Sequence, residues 1–370
     1  AAAVDDQPVH ACRGEPVKAP FVWFGGKRKV AADVWATLGD VDNYVEPFAG
    51  SLAVLLNRPP SRREKMTETV NDADGFLANF WRAVATDPEA VAAWADWPVN
   101  ETDLFARHLW LVNTGRSRLL DGLESDPEWY DPQIAGWWVW GVNSWIGSGW
   151  CAGTGPWTHD DDGHIVKLPH LGDAGQGVNR KLPHLGNAGQ GVNRKLPHLG
   201  DAGRAGFWNL DIRRTGIADY FVELADRLRD VRVCNGDWSR VVTNGALSFG
   251  STVGVFLDPP YLGDVRTADL YAVDDHSIAH DVRDWCLANG DNPRYRVVLA
   301  GYLAEHDDHM PPTWRRHTWS ASAAYQTSAA AQRAADGNAD GNLANRSQEC
   351  LWFSPHCRKP AQTSLFGEAL

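Results

Sequence analysis

Long apolar runs are absent from this 370-residue chain, and none approaches the roughly 18 to 20 residues that span a bilayer. A helical membrane protein is therefore excluded. The opening stretch, AAAVDDQPVHACRGEPVKAP, lacks the basic and apolar regions of a secretory signal, so a cytoplasmic location is the expectation. Cysteine is sparse and shows no metal-binding pattern. Cys12, Cys151, Cys234, Cys286, Cys350 and Cys357 form no CxxC pair and have no companion His spacing, which predicts reduced thiols and no zinc. Lysine is scarce beside arginine, and no nuclease motif is evident. The formal net charge of -12 argues against indiscriminate coating of nucleic acid, although a local basic groove remains compatible with it.

What is present is a soluble mixture, 44% hydrophobic and 22% charged, long enough for one large or two ordinary domains. FVWFGGKRKVAADVWATLGD reads as a glycine turn leading into a helix that ends at Gly39, followed by a strand, NYVEPF, and a short helix, LAVLLN. A second strand, KMTETVND, ends on Asp72 and leads into the helix GFLANFWRAVA. This alternation predicts a mostly parallel α/β sheet with helices on its faces. The rhythm changes near residue 88 and resumes near Gly216 with GIADYFVELADRLRD, VRVCNGDW, STVGVFLDPPY, AHDVRDWCLANG and RYRVVLAGY. TWRRHTWS and QECLWFSP then read as a C-terminal pair of strands joined by a long loop, residues 320–348. Tryptophans crowd residues 129–157, a pattern suited to a packed core or to stacking on bases.

An internal repeat fills the middle. KLPHLGDAGQGVNR at 167–180 recurs as KLPHLGNAGQGVNR at 181–194 and as KLPHLGDAG at 195–203, a period too short for helical solenoid units. Residues 164–214 hold eight Lys or Arg against three Asp, the most basic patch of an acidic chain. Two readings stand: a phosphate-contacting or target-reading insertion, or a surface loop lengthened by duplication at little entropic cost.

The stretch FLDPPYLG carries the sharpest chemistry. In an open α/β sheet ligands bind beyond the carboxyl ends of the strands, and Asp258 sits at such an end. Pro259 and Pro260 fix the backbone and remove two N–H donors, so the local carbonyls are preorganised acceptors. An exocyclic amine of a nucleobase is a poor nucleophile because its lone pair is delocalised into the ring. With one N–H bonded to Asp258 and the other to the Pro259 carbonyl, that nitrogen is drawn toward a pyramidal shape and its lone pair is released. Tyr261 is placed to stack on a base that has left the duplex.

Together these segments resemble the Dam-like DNA adenine N6-methyltransferases, the D12 or alpha group of amino-methyltransferases. The resemblance covers WFGGK at 23–27, VEPFAG at 45–50, ND at 71–72, NGDW at 235–238 and DPPY at 258–261, and less clearly VVLAGY and ECLWFSP. It implies a class I, Rossmann-like methyltransferase sheet with a C-terminal antiparallel hairpin and an inserted target-recognition subdomain. Residues 1–87 become the cofactor half, 88–215 the insertion and 216–370 the catalytic half. The implied cofactor is S-adenosylmethionine. Trp23 and Lys27 would help hold it, Glu46, Pro47, Phe48 and Gly50 would line its loop, Asp72 would bind its ribose, and Asp237 with Trp238 its adenine. Asp258, Pro259, Pro260 and Tyr261 would hold the target base. The implied partner is DNA, double-stranded, met by a monomer or by a weak dimer formed on it, in a bacterial or phage modification system.

The chain departs from the family in its target region, where GHIVKLPHLG replaces the usual short loop and is then duplicated. Base readout therefore does not carry over. Candidate phosphate contacts are Lys167, Arg180, Lys181, Arg194, Lys195 and Arg204, with Asn143 as a base contact and Arg333 and Arg346 in the late loop. Cytosine N4 methylation uses the same geometry and stays open as an alternative, as does a non-catalytic DNA-binding protein that keeps the fold.

Overall fold

The computed structural model describes residues 17–21, 23, 27–63, 65–126, 128–145, 150–151, 157–159, 165–167, 210–260, 278–319 and 349–359, with backbone alone for 157–159, 165–167 and 210–215. Tyr261, Arg180, Lys181, Arg194, Lys195, Arg204, Arg333 and Arg346 lie outside the described residues, as does the side chain of Lys167.

The first half follows the expected alternation: α1 (Ala31–Leu38), β1 (Asn43–Glu46), α2 (Ala53–Leu56), β2 (Thr67–Asp72) and α3 (Gly75–Thr86). Asp74 caps α3 by accepting a 2.8 Å bond from Phe76 N. An all-helical stretch follows, with α4 (Pro88–Ala95), α5 (Glu101–Trp110), α6 (Arg116–Ser125) and α7 (Pro132–Ser144), a π-helical turn at Leu111–Gly115 joining α5 to α6. β3 (Trp157–His159) and β4 (Ile165–Lys167) pair as a small antiparallel ribbon. The alternation then resumes with α8 (Leu210–Leu228, broken at Gly216), β5 (Val231–Asn235), β6 (Val253–Leu257), α9 (Ile278–Asn289), β7 (Tyr295–Tyr302), α10 (Leu303–His306), β8 (Arg315–Thr318) and β9 (Glu349–Phe353).

Seven strands form one sheet in the order β5-β2-β1-β6-β7-β9-β8. The first five in that order are parallel, and β9 runs antiparallel to both β7 and β8. This is a mixed α/β, Rossmann-like sheet with a C-terminal antiparallel pair, as the resemblance implies. Successive strand residues point to opposite faces, and the two cores divide accordingly. Tyr44, Phe256, Val298, Leu351 and Phe353 belong to one hydrophobic cluster, while Val45, Val255, Leu257, Val297 and Trp352 belong to the other. Because both faces are covered, β1 and β6 are buried along their whole length.

The change of rhythm at residue 88 corresponds to helices that extend the first core. Val91 and Ala95 of α4 and Ile134, Trp138 and Val139 of α7 lie in the same cluster as Phe80 and Trp81 of α3 and Phe221 of α8. Gly136 permits the α4–α7 approach, since a Cβ there would lie 2.8 Å from the carbonyl oxygen of Val91. Trp138 and Trp140 are each about 1% exposed, so these tryptophans are core residues and not a stacking surface. Burying side chains of this size contributes on the order of 2–3 kcal/mol apiece. Among the described residues no helix is long and apolar enough to cross a membrane.

Candidate active site

The chain leaves β1 toward β2 on one side, and later places β6 on the other. The carboxyl ends of β1 and β6 therefore flank a topological switch point, where an open parallel sheet leaves a crevice. A cavity of about 280 Å³ lies there. Its walls include Trp23 and Lys27, the turn 46–51, Asn71 with Asp72, Gly236 through Trp238, and Asp258 with Pro260. Trp23 and Lys27 come from the segment before α1, and the other wall groups meet there because they follow the carboxyl ends of neighbouring parallel strands.

The turn after β1 is fixed from below by β2. Ala49 N donates to Asn71 O at 2.9 Å, and Gly50 N donates to Asp72 Oδ2 at 2.9 Å. Asn71 Nδ2 donates to both Pro47 O (3.0 Å) and Gly236 O (2.9 Å), tying the β1 turn to the β5 turn. Gly50 adopts φ 46°, and its carbonyl accepts from Trp81 Nε1 at 3.0 Å. Trp23 packs directly above, so a Cβ at Gly50 would come within 2.7 Å of its ring. Glycine is needed here for both backbone conformation and close approach.

Of three acids in the cavity wall, Glu46 and Asp72 are buried and Asp74 is half-buried. Desolvation raises Glu46 to about 8, with the hydrogen bond from Tyr44 Oη (2.9 Å) opposing the rise and the charge of Asp258 adding to it. Desolvation, reinforced by the charge of Asp74, raises Asp72 to about 7, although Gly50 N and Asp74 N both donate to it. Asp74 is itself raised by burial, while its bond from Phe76 N and the charge of Arg116 act against that rise.

Asp258 lies at the end of β6, half-buried, and Lys27 Nζ sits 3.0 Å from its Oδ1. Lys27 is 2% exposed at its side chain and lies 3.7 Å from Glu349 Oε2 at the start of β9. Pro259 is buried, and Pro260 faces the cavity.

Each described residue expected at the cofactor site borders this cavity: Trp23, Lys27, Glu46, Pro47, Phe48, Gly50, Asp72, Asp237 and Trp238. Trp238 stacks on Phe48 at 6.1 Å between ring centroids and an interplanar angle of 27°. Asp237 is exposed and caps the following 3-10 turn by accepting from Ser239 N at 2.9 Å. Asn143 lies elsewhere. It is 6% exposed in α7, with Nδ2 donating to Val139 O (2.9 Å) and Pro20 O (3.2 Å), so it supports the core and presents no edge to a base. The residues that sequence reasoning passed over are Asn71, Asp74 and Glu349. Period-two alternation marks Glu349, since it shares a strand face with Leu351 and Phe353, but only strand order places it beside Lys27.

A comparison with curated proteins gives no match. Residues 23–105, the stretch that supplies Trp23, Lys27, the β1 turn, Asp72 and Asp74 to the cavity, match the family model of the D12 class N6 adenine-specific DNA methyltransferases.

Proposed function

We propose that this chain transfers a methyl group from S-adenosylmethionine to N6 of an adenine turned out of DNA. The observation that carries the reading is the cavity at the switch point, where the turn after β1 and Asp72 meet Asp258 and Pro260. The family match supports adenine methylation in coarser terms.

The residues present fit the cofactor. Asn71 Oδ1 is a buried acceptor at the cavity with no partner among the described residues. Asp72, at the end of β2, stands where an acid binds ribose hydroxyls in dinucleotide folds. Trp238 and Phe48 offer flat apolar surface for a purine. When bound, adenosylmethionine supplies a sulfonium-activated methyl group, and the electrons of its C–S bond return to sulfur.

The chain's own work is positioning and charge placement. Asp258 accepts one hydrogen bond from the target amine, and the carbonyl of Pro259, held rigid by the next proline, accepts the other. The two acceptors localise the lone pair on N6 and aim it at the methyl carbon. Once the N–C bond forms, the extra proton on nitrogen is acidic and passes to Asp258 or to water. Tyr261 stacks on the base in this scheme, and residues 88–215, with Lys167 and the basic repeats, contact DNA phosphates.

The test is incubation with adenosylmethionine and unmodified DNA, digestion to nucleosides, and mass spectrometry. N6-methyladenine is expected, and it disappears in Asp258→Ala while cofactor binding by calorimetry persists. Normal turnover in that variant sinks the role given to Asp258, and N4-methylcytosine as the product transfers the site to the other base.

A further inference from the structure

Four strand ends line up along one face of the sheet. Counting by twos from the core, Tyr44 leads to Glu46, Phe256 to Asp258, Ala300 to Tyr302, and Phe353 and Leu351 back to Glu349. Glu46, Asp258 and Glu349 are thus three carboxyl groups on the face that carries Lys27, at the end of the sheet where the cavity opens. The ammonium of Lys27 lies between two of them, 3.0 Å from Asp258 and 3.7 Å from Glu349, and 6.0 Å from the centroid of the Trp319 ring. Its side chain is 2% exposed, and Glu349 is 12% exposed. A cation so deeply buried is held by its partners and not by water.

Resting on the function proposed above, we infer that Glu349 is a positioning residue for methyl transfer, holding the Lys27 ammonium against Oδ1 of Asp258 and thereby fixing the orientation of the accepting carboxylate. The reasoning is geometric. Lys27 hangs on a flexible four-carbon stem, and two carboxylates on different strands orient its ammonium more narrowly than one. Glu349 suits the task because its own backbone is pinned twice, by pairing with Tyr302 of β7 and by the bond from Trp319 N to its carbonyl at 3.2 Å. In this assignment Lys27 serves Asp258 and not the cofactor: an acceptor that must align with the N–H of an incoming amine loses effectiveness steeply when misaligned, whereas the cofactor contacts on β1 and β2 pass through neither Lys27 nor Glu349.

The experiment compares wild type, Glu349→Gln, Glu349→Asp, Lys27→Met and the Lys27→Met/Glu349→Gln double variant. Each is measured for single-turnover methylation of adenine in DNA, for adenosylmethionine affinity by calorimetry, and for thermal unfolding. Glu349→Gln is expected to lose about 10-fold in methylation rate with cofactor affinity changed by less than about 3-fold, and Glu349→Asp to recover part of the loss. In the Lys27→Met background the Gln substitution is expected to change nothing further, because its effect runs through Lys27. Equal and additive losses in both backgrounds overturn the inference, as does a Gln variant with the wild-type rate. A rate loss that only follows lowered thermal stability assigns Glu349 to folding and also overturns it. If wild type itself makes no N6-methyladenine, the proposed function fails first, a result distinct from an active wild type with an indifferent Glu349.

Discussion

Replacing Gly50 with alanine tests the construction of the cofactor turn. Two costs can be worked from the structure. At φ 46° the residue lies in the left-handed region, which costs a non-glycine residue about 1–2 kcal/mol. The added methyl would also meet Trp23 Cδ1 at 2.7 Å, and Trp23 is braced by Phe21 and Trp138 at centroid distances of 5.8 and 6.1 Å. Relieving such overpacking costs a further 1–3 kcal/mol or so. The turn can escape by rotating, but that breaks the bonds of Gly50 to Asp72 and Trp81, worth about 1 kcal/mol each. A loss of roughly 2–5 kcal/mol follows if the turn holds its shape, and of about 2 kcal/mol if it rotates. Gly216 supplies the control: at φ 56° and ψ 173° it also lies where a non-glycine residue is strained, but no described atom comes within 4 Å of a built Cβ, so Gly216→Ala tests the conformational cost without the clash. Urea unfolding followed by tryptophan fluorescence measures both, and calorimetry measures cofactor affinity, expected to weaken at least about 10-fold in Gly50→Ala alone. Equal destabilisation of the two variants, with cofactor affinity intact, would refute the account of the turn.

Other expectations follow from the same geometry. Burial raises Asp72 to about 7 and Glu46 to about 8, so folding favours their protonated forms. Their contribution to stability is complete below the unfolded carboxylate range of about 4 and is lost as pH rises through 7 to 8. A cationic cofactor with ribose hydroxyl donors favours the ionised forms, so affinity should increase over the same window with release of protons. Calorimetry from pH 6 to 9 in buffers of different ionisation enthalpy checks this, and flat affinity without proton release counts against it. Asn71→Ala removes two bonds that tie the β1 turn to the β5 turn, each worth about 0.5–1.5 kcal/mol. Loss of both stability and cofactor affinity is expected there, and a change in stability alone denies Asn71 a part in shaping the site.

Much of this was legible without coordinates. Strands and helices of 43–86 and 231–302 announce themselves through local signals: short apolar strands alternating with helical stretches, and glycine where a helix must stop. The chemistry of Asp258 between a buried strand and two prolines is local as well, since proline acts on its own backbone whatever surrounds it. The tryptophans of 129–145 were legible only as two alternatives, because composition does not say whether an aromatic ring faces solvent. Packing of α7 against α3 and α4 decided for the core, and it took Asn143 out of reach of a base along with them.

What the sequence determined by itself is therefore the order of elements and the identity of each strand-end group, both set by interactions within a few residues. Tertiary structure alone decided which strand ends became neighbours. The reversal between β1 and β6 opens the cavity, and the antiparallel return of β9 beside β7 carries Glu349 to Lys27 and Asp258. Those contacts depend on strand pairing between segments far apart in the chain, which hydrophobic periodicity permits in many arrangements and close packing of two covered faces narrows to one.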